Sequence, residues 1–271
     1  MAEKFAVVTG ASSGIGYNLA QVFAENGYDL VIASEGDGIH QAAQDLQSPG
    51  VSITPVQVNL ASFEGCQQLW QQVESTGRTL DAIAINAGVG VGGLFADTDL
   101  EKEINLVRLN CESTVHIAKY AVRKMTAQGQ GKILITSSIA GEMVAPKEAV
   151  YAASKAFDLS FAKSLRFELQ DTGITVTALQ PGPTNTNFFE RADLGDTKAG
   201  TEGKQESQPY EVARQGFEAL MKGDEHVYTA SWKTKVEGSL LGVVALADAA
   251  IATSGTAERG AHIWDPVAAR P

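Results

Sequence analysis

Short apolar runs rich in β-branched residues alternate along the chain with stretches whose apolar positions recur every three or four residues. "KFAVVT" (4–9) is a continuous apolar run ending at Gly10, the pattern of a strand buried on both faces. Ile15, Leu19 and Val22 or Phe23 then form a helical stripe that stops near Asn26 and Gly27. "DLVIAS" (29–34) reads as a second strand and "TPVQVNL" (54–60) as a third, with Pro55 placing its start at a bulge or a sheet edge. Cys66, Leu69, Trp70 and Val73 fall at i, i+3, i+4 and i+7, which predicts a helix, and a strand follows in "LDAIAIN" (80–86).

A long helix is predicted from about Leu100 to Gln128, with Ile104, Val107, Cys111, Val115, Ala118, Val122 and Met125 as its buried stripe. Strand "KILITSS" (132–138), a helix from about Ala149 to Gln170 and strand "ITVTALQ" (174–180) continue the series. This β-α-β repetition predicts an α/β chain: a Rossmann-like, doubly wound parallel sheet of about seven strands with helices on both faces. After Pro181 the rhythm breaks. The polar, glycine-rich stretch 190–208 has little periodicity, and 188–208 reads as a lid over a ligand. A helix at 210–223 and the short strand "HVYTA" resume the pattern before a variable tail at 231–271. No linker, repeat or low-complexity tract divides the chain, so one domain over 1–271 is expected.

The composition fits that picture: 271 residues, 44% of them hydrophobic, can bury one large core. A net charge of -11 repels phosphate backbones and anionic lipid, which argues against nucleic acid or a membrane as partner. The longest apolar stretch, 238–252, is interrupted by Asp248 and is too short to span a bilayer. "MAEKFAVVTG" lacks a charged-then-apolar leader pattern, so a cytoplasmic protein is expected. Cys66 and Cys111 and the four histidines show neither disulfide nor metal-ligand spacing, and no metal is expected.

Two features carry chemistry. "TGASSGIG" (Thr9 to Gly16) lies between the first strand and the first helix, where glycines permit a sharp turn and the helix start favours an anionic pyrophosphate. Tyrosine and lysine stand four apart twice, at Tyr120 and Lys124 and at Tyr151 and Lys155, so each pair shares a helix face. A lysine cation beside a phenol lowers its pKa from near 10 towards the range where acid–base catalysis works at neutral pH.

The glycine loop TGxxxGIG resembles the signature of the short-chain dehydrogenase/reductase family in its compact single-domain form. Further pieces of the family pattern follow in order: Asn86-Ala87-Gly88 after strand four (Ile85 replacing a usual asparagine), Asn110 in the long helix and Ser138 at the end of strand five. Tyr151 with Lys155, then Pro181, Gly182 and Thr186 after strand six, complete a match over residues 4 to about 190. The resemblance selects Tyr151 and Lys155 as the working pair. Tyr120 and Lys124, with Val107 where the serine should stand, read as surface or interface residues.

What the resemblance implies is specific. Asn110, Ser138, Tyr151 and Lys155 would be catalytic, in reversible hydride transfer between a nicotinamide cofactor and a ketone or secondary alcohol. Tyr151 would be the general acid and base, Lys155 would also bond the nicotinamide ribose, Ser138 would orient the substrate oxygen, and Asn110 would hold a water linking Lys155 to solvent. Thr186 and the backbone near Thr184 would fix the carboxamide. Gly10, Ser12, Ser13, Gly14, Ile15 and Gly16, then Ser34, Glu35, Asn59, Leu60, Asn86, Ala87 and Gly88, and finally Tyr151, Lys155, Pro181, Gly182, Thr184 and Thr186 would bind the cofactor.

Ser34 stands where NAD enzymes of the family usually carry aspartate, and Glu35 where NADP enzymes usually carry arginine. Glu35 would repel a 2′-phosphate and accept from a ribose hydroxyl, which favours NAD over NADP. Leu94, Met143, Val144, Phe188 and Phe189 are expected to line an apolar substrate pocket. Through the helices at 100–128 and 149–170 the resemblance implies a homodimer, or a homotetramer, although the tail "ERGAHIWDPVAARP" lacks the usual glycine-rich end. Two rival readings are an NADPH-dependent 3-oxoacyl carrier-protein reductase and a non-catalytic NAD(P)-sensing protein. Missing basic residues count against the first, and the retained Asn110, Ser138, Tyr151 and Lys155 against the second.

Overall fold

The structure, a computed structural model, describes residues 4–192, 194 and 207–229. Its strands are β1 (Lys4–Thr9), β2 (Tyr28–Ser34), β3 (Ile53–Gln57), β4 (Ala82–Ile85), β5 (Gly131–Thr136), β6 (Ile174–Pro181) and β7 (His226–Thr229). They form one parallel sheet in the order β3-β2-β1-β4-β5-β6-β7. Pro55, without an N–H to give, sits in edge strand β3, as its place in the sequence predicts.

The described α-helices are α1 (Gly14–Glu25), α2 (Gly38–Asp45), α3 (Phe63–Ser75), α4 (Leu100–Val107), α5 (Ser113–Gln128), α6 (Ala149–Glu168), α7 (Phe188–Arg191) and α8 (Pro209–Lys222). Alternate residues of β1 face opposite layers. Phe5 and Val7 pack with Val73, Ile117, Met125 and Leu159 of α3, α5 and α6, whereas Ala6 and Val8 pack with Leu19, Phe23, Ile39 and Phe217 of α1, α2 and α8. Both faces are covered, which is why the strands read as unbroken apolar runs. Phe23, Tyr28 and Phe217 meet edge to face at 5.0–6.2 Å and clamp α8 onto α1.

Two features of the helices depart from the sequence reading. The first is α2, which an apolar pattern of Ile39, Ala42 and Ala43 is too short to announce. The second is the long helix: α4 and α5 are joined by a π turn over Arg108–Glu112, and the row expected to be buried is partly turned outward. Ile104, Val107 and Val115 are 43%, 41% and 37% exposed, while Leu106, Asn110, Ser113, Thr114, Ile117, Ala121 and Met125 face inward. One extra residue in the π turn shifts the helical phase, and polar Asn110, Ser113 and Thr114 take positions that apolar periodicity cannot find.

The segment after β6 is described as far as 192, with Leu194. Phe188 and Ala192 close on Gly90, and Leu194 on Gly92, at distances where any added Cβ would collide. The start of the expected lid therefore packs against the loop after β4. The rest of that lid and the tail at 231–271 lie outside the described residues. Among the described residues no helix is long and apolar enough to cross a membrane.

Candidate active site

The sheet order reverses between β1 and β4, and loops leaving the two strands there diverge to opposite faces. A cavity of about 850 Å³ opens at this point, walled by the ends of β1, β2, β4, β5 and β6. Every residue expected to bind cofactor lines it: Gly10, Ser12, Ser13, Gly14, Ile15, Gly16, Ser34, Glu35, Asn59, Leu60, Asn86, Ala87, Gly88, Tyr151, Lys155, Pro181, Gly182, Thr184 and Thr186.

At one end of the cavity lies the start of α1. Its N-cap Ser13 is extended and makes no side-chain cap, so first-turn amides of α1 face the cavity without a competing hydroxyl. Gly14 adopts φ +60, and Gly16 lies so close to Gly10 that a Cβ would stand 2.2 Å from the Gly10 carbonyl oxygen. Buried Thr9 locks the loop to β4: its Oγ1 accepts from the Asn86 and Ala87 N–H groups at 2.9 and 3.0 Å. Asn86 in turn donates to the Thr9 carbonyl and accepts from Thr136 Oγ1 at 3.1 Å. Ser12 and Ser34 hydroxyls join at 2.9 Å, and the exposed Glu35 side chain stands at the rim. This cradle fits a dinucleotide, whose pyrophosphate the α1 amides would hold.

At the other end stand Ser138, Tyr151 and Lys155, from the β5 end and from α6. The Ser138 hydroxyl accepts from the Ala140 N–H at 3.1 Å, so it is also the cap of the short 3-10 turn Ile139–Glu142. Lys155 is buried and donates to the Thr136 carbonyl at 2.8 Å and to Asp158 Oδ2 at 2.9 Å. Asn110, in the π turn, does not line the cavity. Its Oδ1 accepts from the Val89 N–H at 3.0 Å, and its Nδ2 donates to the Val89 carbonyl and Ser154 Oγ. Both its N–H bonds are thus committed to protein partners, so the side chain clamps the loop after β4 and cannot donate to the water implied for it.

Electrostatics at Tyr151 also differ from the expectation. Burial pushes its phenol above the ordinary tyrosine range. Lys155 and the Ser138 hydroxyl pull the other way, while Glu148 and Asp158 add to the rise. Burial likewise works against the Lys155 ammonium, but Asp158 and Tyr151 outweigh it and hold the lysine charged.

Of the expected substrate residues, Met143, Val144, Phe188 and Phe189 line the cavity, Val144 at its open rim with 89% exposure. The Phe188 ring lies 5.1 Å from that of Tyr151. Leu94 does not line the cavity. It is 61% exposed in a turn where its carbonyl accepts from the Asp97 and Thr98 N–H groups, which points the side chain outward. Three charged residues that the sequence reading passed over, Lys147, Glu148 and Arg191, also line the cavity. Glu148 has a usable signal: it stands three residues before Tyr151, on the same side of α6. Tyr120 and Lys124 lie on another face, stacked on Trp70 and paired with Glu74 respectively.

A family model described as short chain dehydrogenase matches residues 4–196. The chain is 34% identical over 188 residues to Oxidoreductase UcpA of Salmonella typhimurium (69% of this chain, 72% of the relative). It is also 34% identical over 208 residues to 1-deoxy-11-beta-hydroxypentalenate dehydrogenase of Streptomyces exfoliatus (73% and 76%). The solved short-chain dehydrogenase from Sphingobium yanoikuyae, in complex with NADPH, superposes with a TM-score of 0.78 at 23% identity over 97% of each chain. The open α1 terminus, the Tyr151–Lys155 pair and these matches lead to one assignment: the chain belongs to the short-chain dehydrogenase/reductase family and is an NAD(P)-dependent oxidoreductase.

Proposed function

We propose that the chain interconverts a secondary alcohol and a ketone, with Tyr151 as the acid and base. What carries this reading is the placement of Ser138, Tyr151 and Lys155 in one cavity with the open α1 terminus. The dinucleotide, when bound, supplies hydride to the substrate carbon in reduction and takes it back in oxidation. In reduction Tyr151 gives its proton to the carbonyl oxygen, leaving a phenolate beside the Lys155 ammonium. In oxidation the phenolate takes the alcohol proton. Ser138 donates to the substrate oxygen, and the half-buried Phe188 and Phe189 exclude water from the reacting face. The Streptomyces exfoliatus relative, named for dehydrogenating a hydroxy compound, supports this substrate class.

For the cofactor we propose NAD. Gly10, Ser12, Ser13, Ser34, Glu35 and Asn59 form the end of the cavity nearest β2, and no lysine or arginine stands among the described residues lining that end. A 2′-phosphate would meet Glu35 without a cation to offset it, whereas a ribose hydroxyl can donate to that carboxylate. Titration by nicotinamide fluorescence is expected to show NADH binding at least tenfold more tightly than NADPH. Preference for NADPH would mean that Glu35 turns away and would favour the carrier-protein reductase reading. Binding of neither would remove the oxidoreductase reading.

We also propose a homodimer through α4, α5 and α6. Leu100, Ile104, Val107, Val115, Phe157 and Phe167 are exposed on these helices, apolar side chains that a partner subunit would cover. Sedimentation velocity should give a dimer that Ile104→Glu combined with Phe157→Glu converts to monomer. A monomeric wild-type protein would overturn this assembly.

A further inference from the structure

Behind the Tyr151–Lys155 pair lies a carboxylate with no place in the reading above, on which this inference rests. Asp158 follows Lys155 by one helical turn of α6, and its Oδ2 meets the Lys155 Nζ at 2.9 Å. The two side chains are only 2% and 5% exposed, so the pair is almost fully removed from bulk water. Asp158 Oδ1 has no hydrogen-bond partner among the described residues. The Thr114 hydroxyl lies close enough to favour the Asp158 carboxylate, but its proton goes to the Asn110 carbonyl at 2.7 Å. A buried ion pair with one oxygen unsatisfied is a poor device for stability alone, since apolar side chains would fill the space at lower desolvation cost.

We propose that Asp158 is a positioning residue for the Tyr151–Lys155 pair: it anchors the Lys155 ammonium and offsets part of its charge, so that Tyr151 enters the reaction as a proton donor. The ionisable groups that bear on the pair come from two stretches. From α6 and its N-cap come Glu148, Tyr151, Lys155 and Asp158, and from the π turn comes Cys111. Burial, with Asp158 adding to it, pushes the Cys111 thiol up to about 11, so it is uncharged at neutral pH. Two carboxylates, Glu148 and Asp158, thus oppose Lys155, which among the cations lining the cavity (with Lys147 and Arg191) is the one that bears on Tyr151. Asp158 is the one fixed on that cation. A phenol kept protonated at neutral pH suits carbonyl reduction, where it must give its proton up, and disfavours alcohol oxidation, where it must start ionised.

The test needs no substrate. Tyrosinate absorbance of the wild-type protein minus that of Tyr151→Phe isolates the titration of Tyr151. The same difference is then taken for Asp158→Asn with and without Tyr151→Phe. Asparagine keeps the shape of the side chain and removes its charge. The asparagine oxygen can still accept from Lys155, which also keeps its bond to the Thr136 carbonyl and its attraction to the ionising Tyr151, so the lysine holds its proton as the phenol ionises. Tyr151 in Asp158→Asn is therefore expected to ionise about one pH unit lower than in wild type. Asp158→Glu, which restores the charge, should return it to the wild-type position. No shift, or an upward one, overturns the proposal, the latter because the charge that Asp158 sustains on Lys155 would then outweigh the charge it offsets. Should Asp158→Asn fail to fold, the wild-type difference titration still decides: Tyr151 ionising well below the ordinary phenol range would overturn the proposal. Because this readout is independent of turnover, failure of the Asp158 role and absence of oxidoreductase activity are seen separately.

Discussion

Tyr151→Phe is expected to lower turnover by about a thousandfold, the scale of a lost general acid–base group, while NADH affinity stays within about twofold. The substitution removes one oxygen and leaves the ring, which keeps its contact with Phe188 at 5.1 Å. It does not touch the α1 terminus or the Thr9–Asn86 lock, which together form the end of the cavity proposed for the pyrophosphate. Loss of the hydroxyl therefore separates chemistry from binding. Initial rates of NADH oxidation with a panel of small ketones, read beside nicotinamide fluorescence titrations, check both halves. Turnover within tenfold of wild type would mean that Tyr151 is not the proton donor. A parallel collapse of NADH binding would mean that its hydroxyl holds the cofactor and would leave the acid–base assignment without support.

The parts of this protein that were legible in its sequence are those set by short-range rules. Strands buried on both faces announce themselves as apolar runs, and the loop from Thr9 to Gly16 is fixed by backbone geometry that only glycine satisfies. Positions such as Ser138, Tyr151 and Lys155 emerged from a resemblance, since each has an ordinary structural use. Ser138 indeed caps a 3-10 turn while facing the cavity. What escaped depends on contacts distant in sequence. The π turn becomes visible only when Asn110 is seen clamped to Val89, and the exposure of Leu94 is set by a turn that periodicity does not encode. Asp158 is hidden in the sequence for a similar reason. A carboxylate three residues after a lysine on a helix is usually a solvated pair, and only its burial makes it unusual.

The second large effect is expected at Gly16. An alanine there would place its Cβ 2.2 Å from the Gly10 carbonyl oxygen and 2.5 Å from Asn86 Nδ2. Neither neighbour can yield freely. Gly10 is held at φ +68 against Ala87, and Asn86 is tied to Thr9 and Thr136. The loop must therefore lift away from the end of β4, at a cost of about 1–3 kcal/mol by analogy with overpacked cores. That displacement moves the first turn of α1, where the pyrophosphate would sit. Gly16→Ala should weaken NADH binding by at least tenfold and lower the melting temperature by several degrees. Gly27→Ala provides the contrast, because Gly27 adopts φ +75 with open space around it and lies at the far end of α1. It should lower the melting temperature through backbone strain alone and leave NADH affinity unchanged. Equal NADH affinity in Gly16→Ala and wild type would show that the loop can relax without moving the helix start, and the α1 terminus would lose its place as the pyrophosphate site. If both variants lost NADH equally, the loss would reflect global stability, and the close approach of Gly16 to Gly10 would have no special part in binding.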